Sequence, residues 1–206
     1  MRLKHIKGAE EKVENSSYVI KEIKKGKFSE YFKNNNPIHL EIGMGKGDFI
    51  IEKAKLNPDI NFIGLEKQAS VLFRAIEKQE QLNLPNLLFL NKDAKEIKEI
   101  FDKEITTLYL NFSDPWPKER HAKRRLTSPN FLESYEMIFK DTKHIEMKTD
   151  NKRLFEYSIK TLTDSGYKII DIRLNLHEDD IENIETEYER KFSNKGFPIY
   201  KIEVSK

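Results

Sequence analysis

Cysteine is missing from all 206 residues, which excludes disulfides, thiolate zinc sites and cysteine nucleophiles together. No run of about 18 apolar residues occurs, and the first residues lack the apolar centre of a signal peptide. The expected place of work is therefore the cytoplasm, with no membrane partner. Internal repeats and low-complexity segments are absent as well. Tryptophan occurs once, at position 116, and there are eight glycines and seven prolines, so the places where these types cluster carry information. Net charge is nearly lacking: 37 Lys+Arg face 35 Asp+Glu, leaving +2. The charges are segregated, however. Residues 1–27 carry eight cations and four anions, residues 109–130 five and two, and residues 178–189 seven carboxylates with no Lys or Arg. Basic patches of this kind suit a polyanionic partner better than a membrane.

What is present suffices for a core. Hydrophobic residues make up 37% and aromatics 11%, which fits one domain with small appendages. Residues 1–16 read as a basic arm that orders late or on a partner, and 13–23 as a short helix. The cluster Asn34-Asn35-Asn36-Pro37 reads as a boundary, giving an arm over 1–36 and a main domain over 37–206. From there strands at 38–42, 60–65, 87–90, 107–112, 144–147, 167–174 and 197–204 alternate with helices at 47–55, 68–82, 129–139, 151–162 and 182–192. Within 68–82, Val71, Leu72, Ala75, Ile76 and Leu82 share one helical face. This alternation predicts an α/β fold with a doubly wound, mostly parallel, seven-stranded Rossmann-like sheet, whose ligands bind at the carboxyl ends of the strands.

Two constellations fall at those ends. The first is Glu41-Ile42-Gly43-Met44-Gly45-Lys46-Gly47, where the first strand turns into the first helix. Glycines there permit a tight turn and close approach of backbone to a ligand. The Gly-x-Gly-x-Gly spacing departs from that of dinucleotide binders. Glu66 ends the second strand at the distance expected for a ribose-binding carboxylate, and Asp93 follows the third. Three acids converging on one crevice would repel a pyrophosphate and attract a sulfonium or ammonium. That contrast favours S-adenosylmethionine over a nicotinamide cofactor.

The second constellation is Asp114-Pro115-Trp116-Pro117-Lys118 followed by Arg120, His121, Lys123, Arg124 and Arg125. Each proline pushes the residue before it to extended geometry, which would hold Asp114 and Trp116 stiffly at the mouth of the fourth strand. A carboxylate can accept from a base edge, and an indole can stack on its face for about 1–3 kcal/mol. The cations suit phosphate, and His121 among them reads as a further backbone contact. Asp150, after the fifth strand, could cap the next helix or bond an acceptor base, the cap being favoured by local physics. Thr186-Glu187-Tyr188-Glu189 reads as part of an acidic helix.

Together these residues resemble the bacterial tRNA (guanine-N7-)-methyltransferase family over about residues 38–201. The most specific match is Asp114-Pro-Trp-Pro-Lys118 with Arg120-His121-x-Lys123-Arg124-Arg125. Glu41-Ile-Gly-Met-Gly45, Gly64-Leu-Glu66, Thr149-Asp150-Asn151, Thr186-Glu-Tyr-Glu189 and Gly196-Phe-Pro-Ile-Tyr200 support it. The resemblance implies methylation of guanine 46 in the tRNA variable loop. It also implies a donor pocket formed by Glu41, Gly43, Gly45, Glu66, Asp93 and Asp114, with Asp114 as the catalytic carboxylate. Lys118, Asp150, Thr186, Glu187, Tyr188 and Glu189 would contact substrate, and Arg120, His121, Lys123, Arg124 and Arg125 the RNA. No metal is expected, and monomer and homodimer both stay open. At the N-terminus Arg2-x-Lys4 departs from paired arginines, which bears on the arm's RNA role. The rivals are a methyltransferase acting on an exocyclic amine of DNA or protein, and a non-catalytic RNA-binding module; a dehydrogenase fits least.

Overall fold

A computed structural model describes residues 6–178 and 183–206. The expected role of Arg2 and Lys4, and the start of the predicted helix at 182, lie outside the described residues. One seven-stranded sheet runs through the molecule, formed by β1 (Ile38–Ile42), β2 (Asn61–Leu65), β3 (Leu87–Leu90), β4 (Ile105–Asn111), β5 (Phe139–Thr149), β6 (Lys168–Arg173) and β7 (Tyr200–Ser205). Its order is β3-β2-β1-β4-β5-β7-β6. Neighbours among β1 to β5 are parallel, whereas β7 runs antiparallel between β5 and β6. Strand order reverses at β1, which has β2 on one side and β4 on the other. The carboxyl ends of β1 and β4 therefore flank the crevice where such sheets take ligands.

Two apolar clusters cover the sheet's faces, as doubly wound topology requires. One includes Leu40, Ile42, Ile63, Leu108, Ile145 and Ile202 with Leu132 and Tyr135 of helix α6 (Pro129–Ile138) and Phe155 and Leu162 of α7 (Lys152–Asp164). The other includes Phe62, Phe89 and Tyr109 with Phe49, Ile50 and Ile51 of α3 (Asp48–Leu56) and Leu72, Ala75 and Ile76 of α4 (Ala69–Leu82). Of the apolar face expected for 68–82, α4 buries Leu72, Ala75 and Ile76 together with Gln79, whereas Val71 is half-buried and Leu82, at the helix end, is exposed.

The N-terminal segment departs from expectation. Its helix α1 runs Ala9–Asn15, earlier than 13–23, and packs on α4 with Ala9 and Val13 buried. Tyr18 to Ile20 instead lies along the outer edge of β3, where Ile20 N donates to Phe89 O at 2.9 Å and Phe89 N to Tyr18 O at 2.8 Å. An aromatic and two β-branched residues suit an edge strand, and they cover the sheet edge that β3 would otherwise expose. Phe28 and Phe32, beside and within the one-turn helix α2 (Ser29–Phe32), join the main core with Ile20. The described part of the arm is thus built into the domain rather than waiting for a partner.

Elsewhere β5 begins at Phe139, five residues before the expected 144, because Phe139 pairs with Ile105 of β4 ahead of a stretch, Lys140-Asp141-Thr142-Lys143, that carries no apolar pattern. A short helix α5 (Ile97–Ile100) leads into β4, and α8 (Glu187–Ser193) closes the chain before β7.

Candidate functional site

The glycine turn after β1 is left-handed at all three glycines, with φ of 72° at Gly43, 60° at Gly45 and 78° at Gly47. A residue with a Cβ is strained there. The turn is stitched to β2: Gly43 N donates to Leu65 O at 2.8 Å, and Gly45 N to Glu66 Oε2 at 3.2 Å. The other oxygen of Glu66 accepts from Gln68 N at 2.9 Å. Burial raises the Glu66 carboxyl above its ordinary value, while these backbone N–H groups pull it back. Asp93 caps a single 3-10 turn, accepting from Lys95 N at 3.0 Å while Glu96 Oε1 accepts from Asp93 N at 3.0 Å.

These residues open on one cavity of about 580 Å³, lined by Gly43, Gly45, Glu66, Asp93, Asp114 and Trp116 among others. The two ends that the sequence places together do face each other. A Cβ on Gly43 or Gly45 would meet no protein atom within 4 Å, so both backbones border open space that a ligand can fill. The cavity wall is less acidic than expected, because Lys67, Lys92, Lys95 and Arg124 also line it. Lys67, Lys95 and Arg124 are exposed at its rim, whereas Glu66 is buried.

Glu41 sits apart from this wall. Its carboxylate is fully buried behind the turn, where Asn111 Nδ2 donates to Oε1 at 2.9 Å. Glu41 Oε2 and Asn111 Oδ1 have no partner among the described residues. Burial pushes the Glu41 carboxyl up to about 7, against the pull of Asn111 and Lys148.

On the acceptor side the loop after β4 holds two residues with positive φ, Phe112 at 50° and, after Asp114, Trp116 at 41°. Trp116 is therefore not extended, as its following proline suggested. Arg125 explains how the turn is held: its Nε donates to Pro115 O and an Nη to Trp116 O, both at 3.1 Å, and its guanidinium lies 4.3 Å from the Tyr157 ring centre. With 7% of its surface exposed, Arg125 is a clamp on the Pro-Trp-Pro loop, not the phosphate ligand expected of it. Arg125→Ala should cost about 3 kcal/mol of stability through two lost charge-assisted hydrogen bonds, read as a fall in Tm that Arg120→Ala does not share.

The remaining cations fold into a 3-10 helix, Glu119–Arg124. Lys118, Arg120 and Lys123 are exposed there and form no ion pair among the described residues. Arg124 lies 4.8 Å from the Trp116 ring centre, and His121 packs edge-on against the same indole at 5.8 Å. Asp114 itself is exposed and accepts no hydrogen bond from a described residue.

A family model described as "Putative methyltransferase" matches residues 35–202. The tRNA (guanine-N(7)-)-methyltransferase of Lachnoclostridium phytofermentans is 50% identical over 98% of this chain and 97% of its own length. That of Listeria welshimeri is 50% identical over the same shares. The chain belongs to the tRNA (guanine-N(7)-)-methyltransferase family. In fold it is similar to a solved 16S rRNA methyltransferase, KamB, with a TM-score of 0.69 at 16% identity, covering 90% of this chain and 94% of that one.

The other positions that the methyltransferase resemblance singled out take varied places. Asn151, not Asp150, caps α7, accepting from Leu154 N at 2.9 Å. Asp150 is thereby free to accept from Tyr188 Oη at 3.1 Å. Tyr188 stacks on Phe192 at 4.2 Å and lies 5.1 Å from Phe112, so Asp150, Tyr188 and Phe112 form a second wall beside the Asp114 loop. Burial and the Asp150 carboxylate push the Tyr188 hydroxyl up to about 12. Thr186 and Glu189 form a capping box at the start of α8: Glu189 N donates to Thr186 Oγ1 at 2.9 Å, and Thr186 N to Glu189 Oε2 at 3.3 Å. Glu187 pairs with Lys46 at 2.6 Å. Sequence reasoning passed over Phe112, Asn111 and Lys148. A polar Asn closing the apolar run of β4 was the available signal for Asn111; nothing in the mixed sequence of β5 marks Lys148.

Proposed function

We propose that the protein transfers the methyl group of S-adenosylmethionine to N7 of guanine 46 in the tRNA variable loop, giving 7-methylguanosine, and does so in the cytoplasm without a metal. The observation that carries this reading is the shared cavity: the glycine turn and the Asp114 loop open on the same space. The donor set fits the group. Open space lies over Gly43 and Gly45, Glu66 stands at the end of β2 for the ribose, and an unpartnered carboxylate oxygen of Glu41 is buried behind the turn. Bound there, S-adenosylmethionine supplies a methyl group on a cationic sulfur.

The residues of the chain then have little chemistry and much positioning to do. Guanine N7 is an in-plane lone pair without a hydrogen, so no base has to remove a proton first. The barrier falls chiefly through alignment, with reacting atoms held about 3–3.5 Å apart. Phe112, Trp116 and Tyr188 offer faces for the purine. Asp114 faces the cavity and opposes the positive charge that the ring gains on methylation. Asp150 orients the Tyr188 hydroxyl, and Lys118, Arg120 and Lys123 reach outward for phosphate.

With purified protein and labelled donor, label should enter tRNA as 7-methylguanosine and should not enter DNA or protein. Label in DNA or protein alone would overturn the reading. A double Arg120→Ala, Lys123→Ala variant should bind tRNA more weakly and flatten its log–log salt slope by about 1.5, at about 0.7–0.9 per lost phosphate contact. An unchanged slope would remove these cations from the interface.

A further inference from the structure

We propose that Lys148 and Glu189 are positioning residues for the acceptor base, a buried ion pair that latches the start of α8, and with it Tyr188, onto the carboxyl end of β5. This rests on the function proposed above and replaces the substrate contact that the resemblance implies for Glu189.

Exposure decides the first point. The side chains of Lys148 and Glu189 are 1% and 0% accessible, and their charged atoms are 3.0 Å apart. A carboxylate with no accessible surface cannot touch an RNA. All three donors of the ammonium are used, on Glu189 Oε2, on Asn183 Oδ1 at 2.8 Å and on Ile184 O at 2.8 Å. Glu189 Oε1 in turn accepts from Asn183 Nδ2 at 2.7 Å and lies 3.2 Å from His177 Nε2. The pair's hydrogen-bonding groups are saturated, and besides the two charges their hydrogen-bond partners belong to the segments around residues 177 and 183–186. The Lys148 ammonium also lies 5.1 Å from the ring centre of Phe49 in α3.

The second point is what the pair joins. The backbone of Lys148 holds the acceptor loop, since Phe112 N donates to Lys148 O at 2.8 Å. In the sheet Lys148 lies beside Asn111, the residue bonded to Glu41 behind the donor side. Its side chain fixes Glu189, two residues from the first residue of α8, and the capping box ties Glu189 to Thr186. Between those anchors stands Tyr188, against Phe112 and Asp150. Burying two charges is a poor way to gain stability, since an apolar pair of similar volume commonly does as well. Fixing one orientation of Tyr188 across the crevice is a use that an apolar pair would serve less well.

A double-mutant cycle tests this, with kcat and KM for tRNA measured alongside donor affinity by calorimetry. The wild-type control must methylate tRNA before the variants are compared, which separates this proposal from the functional reading. Lys148→Met and Glu189→Gln should each lower kcat/KM by roughly ten- to a hundredfold. The double variant should resemble either single one in kcat/KM, and donor affinity should stay within about twofold in Glu189→Gln. The Lys148 variants are compared on kcat/KM alone, because the Lys148 ammonium also acts on the Glu41 carboxylate. Should a single variant fail to fold, the charge-free double variant and the milder Asn183→Ala decide, both expected to lose kcat/KM, Asn183→Ala at unchanged donor affinity. If Lys148→Met keeps wild-type kcat/KM while Glu189→Gln loses it, or if the losses add, Glu189 acts directly and the latch is refuted. Wild-type kinetics in Asn183→Ala and the double variant would refute it equally.

Discussion

Asp114→Ala is expected to lower kcat for tRNA methylation by roughly a hundred- to a thousandfold, the usual loss when one preorganised group facing developing charge is removed. Stability should stay within about 0.5 kcal/mol, since an exposed side chain without structural partners contributes little to the fold. Asp114 meets that description: it is exposed, lines the cavity and is hydrogen-bonded to no described residue. Asp114→Asn separates charge from shape. If the carboxylate works by opposing the cationic purine, Asn should lose nearly as much as Ala. Near-normal turnover in either variant would remove Asp114 from the mechanism.

Glu41→Gln should have two large effects of opposite sign. Burial raises the Glu41 carboxyl from 4.5 to about 7 in the folded protein. The folded state therefore holds this proton more tightly than the unfolded chain does. The free protein loses stability as pH rises from about 4.5 to about 7 and stays at the lower level above that. Glutamine does not ionise, so the variant should exceed wild type by about 3 kcal/mol at pH 8 and converge with it at pH 4.5 and below, at 1.36 kcal/mol for each unit of displacement. Donor binding should weaken, because the buried negative charge behind the glycine turn is gone. Denaturant titrations at pH 5 and pH 8, paired with donor titrations, read both effects. A variant no more stable than wild type at pH 8, with undiminished donor affinity, would contradict this role for Glu41.

The sheet was legible because its strands are short apolar runs punctuated by turn residues. Strands 38–42 and 87–90 fall at their expected bounds, each ending at a Gly or Asn that stops the run. The helix at 129 announces itself by Pro129 at its first position. The antiparallel place of β7 was not legible, since order along the chain says nothing of which neighbour a last strand chooses. The packing of the N-terminal segment was hidden by its charge, although Phe28, Tyr31 and Phe32 were a signal that part of it belongs to a core.

At the site, residue types were readable and burial was not. Arg124 and Arg125 are adjacent and chemically identical, yet one lies over Trp116 at the rim and the other is buried against Tyr157 and two carbonyl oxygens. Only packing tells them apart. Glu187 and Glu189 differ likewise, one paired with Lys46 at the surface and the other buried on Lys148. The Thr-x-x-Glu spacing of a capping box was the one clue that Glu189 points back into the protein. For Asp150 local physics favoured a helix cap, and the neighbouring Asn151 took that role.

The central claim is that the methyl acceptor is the lone pair at N7 of one guanine, and a tRNA carrying 7-deazaguanine at position 46 tests it most directly. That base keeps its shape, stacking face and remaining edges but has a C–H in place of N7. Such a tRNA should bind the protein with the affinity of the unmodified one and accept no methyl group. Methylation of the deaza substrate at the unmodified rate would show that the acceptor atom lies elsewhere.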